Sequence, residues 1–138
     1  HKFRVSPDGG KLVTVKRLQL PPDPDSQAKR PQFRVEIHRL PSKEKVGEVN
    51  VKGGFTRALA FSSDSRLLAT TITTWKPDEP SEYWISLWDL ETCGEVAHID
   101  GYDKSVSQIA FSADGKRLAS TLSDTTTLVW DLGQFHVE

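Results

Sequence analysis

The sequence has a single cysteine, Cys93, and no methionine among its 138 residues. One cysteine excludes an intramolecular disulfide and a metal cage built from several thiolates. It fits a reducing compartment, so we expect a cytoplasmic location. A chain that began at its own initiation codon would carry methionine, so we expect the sequence to be a segment of something longer.

The sequence also lacks long hydrophobic runs and an excess of charge of either sign. No stretch approaches the roughly 18 apolar residues of a membrane-spanning helix, and no signal peptide is visible. Lys and Arg number 18 and Asp and Glu number 19, which gives a formal net charge of -1. No overall basic field would therefore draw the chain to nucleic acid or to an anionic membrane. We expect neither as a partner.

Sequence signatures of enzymes are missing as well. The chain has no G-x-S-x-G element, no P-loop and no dinucleotide fingerprint. Its histidines, at positions 1, 38, 98 and 136, are scattered without the spacing of metal ligands, whereas a zinc site needs three or four converging ligands. We therefore expect no catalytic residue, no metal, no cofactor and no enzymatic activity in this chain.

What the sequence does contain is a turn that occurs three times. Each copy has a Ser, then Pro, Ser or Ala, then an Asp and a small residue, followed by a basic residue and an aliphatic run. The aspartates are Asp8, Asp64 and Asp114, at intervals of 56 and 50 residues. An Asp at this place accepts hydrogen bonds from nearby backbone N–H groups, and Gly tolerates positive φ. We interpret the three carboxylates as turn caps and not as a catalytic cluster.

A second series is offset from the turns and ends each repeat: Ile37-His38-Arg39-Leu40, Leu87-Trp88-Asp89-Leu90 and Val129-Trp130-Asp131-Leu132. Both series recur at or slightly above the 40 to 45 residues of a four-stranded propeller blade. The segments between turns are rich in β-branched and aromatic residues, and no helix of ten or more residues is predicted. The predicted strands are 3–6, 11–20, 33–40 and 46–51; 57–62, 67–73, 83–90 and 95–99; and 106–112, 117–122, 126–132 and 134–137.

On these motifs the chain resembles the WD-repeat β-propeller family, with turns like those of bacterial members. The third repeat matches best, the second matches at Thr70 and at its Trp-Asp pair, and the first has His38-Arg39 in place of Trp-Asp. The resemblance implies an all-β fold of three four-stranded antiparallel blades, approximately residues 1–52, 53–100 and 101–138. It also implies structural roles for Trp88, Asp89, Ser120, Asp124, Trp130 and Asp131.

Three blades are fewer than a closed ring contains. Propellers of this kind usually have 4 to 8 blades, and each blade buries its faces against its neighbours. We therefore expect the chain to be part of a larger propeller, or to assemble with further blades of the same or another chain.

Two insertions distinguish the first and second repeats from the third. They span residues 21–32 and 74–82, are polar and rich in proline, and are predicted to be surface loops between the second and third strands. In the resembling family this connection lies on the top face, where partners often dock. Arginine and aromatic anchors are typical of binding surfaces, so the candidate partner-binding residues are Arg17, Lys29, Arg30, Arg34, Trp75, Tyr83 and Trp84. The alternative is that the loops are solvated and the tryptophans pack between blades.

These observations predict a non-catalytic scaffold for protein or peptide partners, within a larger protein of the bacterial signalling type. One alternative is an enzymatic propeller whose catalytic residues lie on missing blades. The predicted inner strands, TRALAFS and SVSQIAFS, argue against it because their one charged residue is Arg57. Another alternative is a fragment that assembles with copies of itself.

Overall fold

A computed structural model describes residues 2–18, 32–52, 54–76, 78–100 and 103–132. These residues form eleven strands in three antiparallel sheets. The first sheet has β1 (Lys2–Val5), β2 (Lys11–Leu18), β3 (Gln32–Arg39) and β4 (Lys45–Lys52). The second has β5 (Gly54–Phe61), β6 (Leu67–Lys76), β7 (Glu79–Asp89) and β8 (Glu95–Ile99). The third has β9 (Val106–Phe111), β10 (Arg117–Leu122) and β11 (Thr127–Asp131).

This architecture confirms the predicted all-β fold. Within each sheet, every strand is hydrogen-bonded to the strand before or after it in the sequence, and all of these pairs are antiparallel. The described residues contain no helix that is long and apolar enough to cross a membrane.

The prediction of a loop at 74–82 is wrong. Strands β6 and β7 continue through this segment, with Thr74 paired to Glu82 and Lys76 paired to Glu79. The β-favouring residues at the end of β6 outweigh the prolines here. Asp78 makes the reversal with a positive φ of 65°, a conformation that Asp tolerates better than most residues. The second insertion is therefore a lengthened hairpin.

Two further predictions fall outside the described residues. Most of the first insertion lies within residues 19–31, and the predicted last strand of the third repeat lies at 134–137. The described part of the third sheet accordingly has three strands. The residue boundaries of the blades stay a prediction.

The core consists of two apolar joints, each formed where one sheet packs on the next. We call the contact between the first and second sheets the first joint. Its buried side chains are Val13, Val15, Val35, Ile37, Leu59, Leu68 and Leu90. The second joint, between the second and third sheets, buries Ala69, Ile85, Leu87, Ile99, Leu118 and Leu132. Both faces of the second sheet are therefore covered, as in a propeller blade.

Polar contacts near the turns also connect neighbouring sheets. The backbone N–H of Asp8 donates to Ser65 Oγ at 3.1 Å, and Lys11 Nζ donates to the carbonyl of Leu90 at 3.2 Å. Ser63 Oγ donates to the carbonyl of Ala113 at 2.7 Å. Each joint thus has an apolar interior and hydrogen bonds at the turn end, which fixes how one sheet lies against the next.

Candidate functional site

The three turn aspartates have nearly identical surroundings. In each turn the leading Ser hydroxyl donates to the Asp Oδ1, at 2.6 Å for Asp8, 2.5 Å for Asp64 and 2.6 Å for Asp114. The same Oδ1 accepts the backbone N–H two residues further on, at 2.8 to 3.0 Å. The serine hydroxyl, more than the backbone N–H, holds the pKa of each carboxyl below its usual value. Each carboxylate is thus occupied within its own turn.

The tryptophans of the second and third repeats each hydrogen-bond a hydroxyl on the neighbouring strand. Trp88 Nε1 donates to Thr70 Oγ1 at 2.8 Å, and Trp130 Nε1 donates to Ser120 Oγ at 3.1 Å. Thr70 and Ser120 are 1% exposed, so the indole satisfies a hydroxyl that water does not reach.

The remaining aspartates named in the motif lie near strand ends. Asp89 Oδ1 accepts the backbone N–H of Glu91 at 2.8 Å, and Asp124 Oδ1 accepts that of Thr126 at 3.0 Å. Asp131 is exposed at the end of β11.

The first sheet replaces the tryptophan contact with a group of charges. His38 occupies the place of Trp88, and its Nε2 lies 3.2 Å from Glu36 Oε1. Lys16 Nζ lies 3.0 Å from the same oxygen and holds the pKa of Glu36 below its usual value. The hydroxyl of Thr14, which stands where Thr70 stands in the second sheet, is buried without a hydrogen-bond partner. The departure from the motif at His38 therefore leaves an unsatisfied hydroxyl.

The structure places two of the predicted partner-binding residues at the first joint. On β2, Arg17 lies on the same face as Val13 and Val15. The side chains of both valines are buried in that joint. On β7, Trp84 lies on the same face as Ser86 and Trp88. Trp88 packs against the core of the first joint. Because side chains alternate along a strand, Arg17 and Trp84 lie on the facing sides of the first joint.

The other described candidates point elsewhere. Arg34 is adjacent to Val35 on β3, so its side chain lies on the opposite face of the first sheet from the first joint. There its Nε is 3.4 Å from Glu48 Oε2. Tyr83 shares its face with Ile85, which is buried in the second joint. Trp75 lies in β6. Lys29 and Arg30 fall outside the described residues. Arg17 and Trp84, Arg34, and Tyr83 therefore lie on three different faces.

Sequence reasoning missed His98 as a part of this surface. Its ring stacks on Trp84 with a centroid distance of 5.5 Å and an interplanar angle of 28°, because His98 pairs with Ser86 and follows the same face of the sheet. Its Nε2 is 3.6 Å from Asp100 Oδ2. The alternation of EVAHI could have indicated the face, but its pairing register could not be read from the sequence.

We call Trp84, His98 and Asp100 the Trp84 patch. Trp84 is half-buried, whereas His98 and Asp100 are exposed. The patch offers an aromatic surface beside a carboxylate, with the exposed Arg17 across the joint. Among the residues that the structure describes, no three His, Cys, Asp or Glu side chains converge as metal ligands would.

Comparisons with known proteins agree with this architecture. The family model described as "WD domain, G-beta repeat" matches residues 93–131. The WD repeat-containing protein SL1-17 of Schistosoma mansoni is 34% identical over 71% of this chain and 30% of its own length. The small ribosomal subunit protein RACK1y of Oryza sativa subsp. japonica is 32% identical over 57% of this chain and 22% of its own length. The chain thus spans less than a third of the length of either relative.

A solved structure shows the same fold. The chain described as Kuenenia stuttgartiensis hydrazine synthase aligns with 97% of this chain and 41% of its own length, with a TM-score of 0.72 and 19% identity. At that identity the likeness concerns the fold alone. Together with the family match, the indole–hydroxyl contacts and the three sheets, it identifies the chain as a propeller segment that belongs to the WD-repeat family.

Proposed function

We propose that the chain is a non-catalytic docking surface for protein or peptide partners, carried as a propeller segment of a longer protein. The observation that carries the proposal is the Trp84 patch, where a half-buried indole stacks on an exposed imidazole at the first joint. WD repeats generally mediate contacts between proteins. We extend the proposal to a signalling protein of the bacterial type, on the likeness of the turns alone.

The chemistry of the patch suits a protein partner. Aromatic side chains supply contact area with few rotatable bonds, and Trp and Arg are enriched among the residues that dominate binding energy. Arg17 is exposed and adds a forked donor for a carboxylate or a backbone carbonyl. Asp100 places a negative charge beside His98, so the patch can orient a partner of mixed charge.

A peptide selection tests this function. Peptides selected from a random library on the 138-residue chain would be measured against Arg17→Glu and His98→Ala variants. Both changes are at exposed positions, so folding should be retained. We expect each to weaken binding by about tenfold, the effect of removing one important contact.

Arg39→Glu is the matched control, because Arg39 is 63% exposed at the end of β3 and pairs only weakly, with Glu44 at 3.7 Å. Its affinity should equal that of the wild type. Selected peptides that bind all three variants equally would show that the Trp84 patch is not the docking surface.

Self-assembly is a second candidate, favoured by exposed apolar side chains away from the joints. Phe3 is 62% exposed and Val129 is 63% exposed. The likeness to hydrazine synthase carries no activity to this chain, since it rests on the fold. An enzymatic role is therefore not part of the proposal.

A further inference from the structure

The ring of His38 lies between two groups that can only accept hydrogen bonds. Its Nε2 is 3.2 Å from Glu36 Oε1, and its Nδ1 is 3.2 Å from the backbone carbonyl oxygen of Lys43. Because Lys16 holds the pKa of Glu36 below its usual value, that carboxyl group is ionised at neutral pH and has no proton to donate. Both ring nitrogens of His38 therefore face acceptors.

A neutral imidazole cannot satisfy both contacts. It carries a single N–H, so its other nitrogen would present a lone pair to an oxygen. The imidazolium form has an N–H on each nitrogen and donates to both oxygens, and its bond to the carboxylate is charge-assisted. The side chain of His38 is 19% exposed and that of Glu36 is 7% exposed, so water compensates little when one of these bonds is lost.

The carbonyl group of Lys43 belongs to the turn between β3 and β4. Two backbone hydrogen bonds close this turn, from Arg39 N–H to the Glu44 carbonyl at 2.8 Å and from Lys43 N–H to the Arg39 carbonyl at 2.7 Å. Lys43 has a positive φ of 64°, which is an uncommon conformation for a residue other than glycine. The bond from His38 therefore reinforces the turn at its least favourable residue.

A bulge in β4 directly follows this turn. Ile37 pairs with Gly47, whereas His38 pairs with Lys45, so Val46 is the extra residue on β4. The side chain of Val46 packs against the core of the first joint. The contacts of His38 thus stabilise the segment that carries Val46 into that joint.

The second sheet has the same turn without the histidine. Asp89 N–H donates to the Gly94 carbonyl at 3.0 Å, and Cys93 N–H donates to the Asp89 carbonyl at 2.8 Å. Trp88 stands at the place of His38 and donates its indole N–H to Thr70. An indole N–H is a donor only and does not titrate as an imidazole does. The second turn is therefore an internal control for the first.

Charged side chains on the strands next to His38 largely pair with one another. These ion pairs are Lys16 with Glu36, Lys45 with Glu48, Arg34 with Glu48, and Arg39 with Glu44. Lys43 extends an exposed side chain from the turn, and Lys11 Nζ donates to the carbonyl of Leu90. The basic charges that oppose a proton on His38 are thus mostly compensated, and Glu36 is the carboxylate in contact with the ring.

We propose that the protonation state of His38 controls how firmly the turn between β3 and β4 is held. With a proton on each nitrogen, the ring ties the turn to Glu36 on the sheet. With one proton it loses one of the two contacts, and the turn and Val46 are held less firmly. The stabilisation is therefore present at low pH and is lost as the pH rises through the range of about 5 to 8, where imidazoles lose their charge.

This proposal does not involve the Trp84 patch, so it can fail without the proposed function and the reverse. The test is amide hydrogen exchange of the 138-residue chain, followed by NMR at about pH 5.5 and about pH 8, on either side of the imidazole range. Protection of the Arg39 and Lys43 amides is divided by that of the Asp89 and Cys93 amides, which cancels the general pH dependence of exchange. We expect this ratio to fall about tenfold at the higher pH, the loss of one hydrogen bond to a charged group.

Two variants identify the group responsible. His38→Gln has no titrating ring and should make the ratio independent of pH. Glu36→Gln keeps the ring but replaces the charged acceptor with a neutral one of the same shape, so the change with pH should become smaller. A wild-type ratio that does not change with pH overturns the proposal, whether or not the variants fold. An equal change in the wild type and in His38→Gln also overturns it, because another group would then be the cause.

Discussion

At the scale of single residues, one hydroxyl position illustrates how much the repeat depends on its tryptophan. Thr70 and Ser120 accept an indole N–H, whereas Thr14 at the equivalent place has no partner. A buried polar group without a hydrogen bond costs about 1 to 3 kcal/mol. The first sheet carries that cost because His38 turns its Nε2 to Glu36.

Two isosteric substitutions at this position should therefore have different effects. Thr70→Val leaves Trp88 Nε1 without its acceptor and should lower the free energy of unfolding by about 1 to 3 kcal/mol. Thr14→Val removes an unsatisfied hydroxyl and should leave stability unchanged or raise it. Urea unfolding followed by circular dichroism measures both. Equal losses for the two variants would mean that the indole contact does not stabilise the second sheet.

The residue roles that could be predicted from the sequence were those that depend on hydrogen bonds between residues close together in the chain. A Ser followed two residues later by Asp is enough to form each turn bond. The sequence also showed that His38 replaces a tryptophan, but not that Glu36 and Lys16 would gather around it. Those contacts run across neighbouring strands and depend on the register.

At the scale of elements, the second insertion shows how composition alone can predict a loop where the strands in fact continue. Proline and acidic residues suggested a loop, but β7 runs through Pro80 to Glu79. Proline is tolerated in a strand where no hydrogen bond from its nitrogen is needed. The alternation in TTITTW was the signal for a longer hairpin. The candidate partner-binding residues do not share one surface, because alternation sends Tyr83 and Trp84 to opposite faces of one strand.

A close approach between β4 and the turn after β7 gives a testable pair. A Cβ on Gly47 would collide with the side chain of Cys93, and Cys93 has a positive φ of 59°. Gly47→Ala should therefore destabilise the chain, by about 1 to 3 kcal/mol as in other overpacked sites. Cys93→Gly in the same chain should restore stability, because it removes the obstructing side chain and suits the positive φ.

Thermal unfolding of the two single variants and the double variant measures this coupling. Additive losses in the double variant would show that Gly47 is needed for some other reason. Cys93→Gly alone is the control, and it reports any contribution of the half-buried thiol to the first joint.

At the scale of the whole molecule, the outer faces differ from the joints. Phe3 is 62% exposed and Val5 is 47% exposed on the outer face of the first sheet, and Val129 is 63% exposed on that of the third. Internal faces at equivalent places are covered by the next sheet. Apolar side chains on an open sheet favour contact with another sheet.

The chain in isolation should accordingly self-associate as its concentration rises. Phe3→Gln combined with Val129→Thr should reduce the association, since both changes lie on outer faces and leave the joints intact. Size-exclusion chromatography with light scattering measures the mass of each. A wild-type chain that stays monomeric across the concentration range would contradict both the prediction and the second candidate function.

The order of strands within each sheet has a consequence for kinetics. Within each sheet, strands that follow one another in the sequence are hydrogen-bonded, so these contacts close loops much shorter than a repeat and their entropic cost is small. Contacts across a joint connect residues about one repeat apart and cost more. The chain therefore has low contact order within sheets and higher contact order between them. During synthesis on the ribosome, each sheet can form as its last strand emerges, and docking onto the preceding sheet follows.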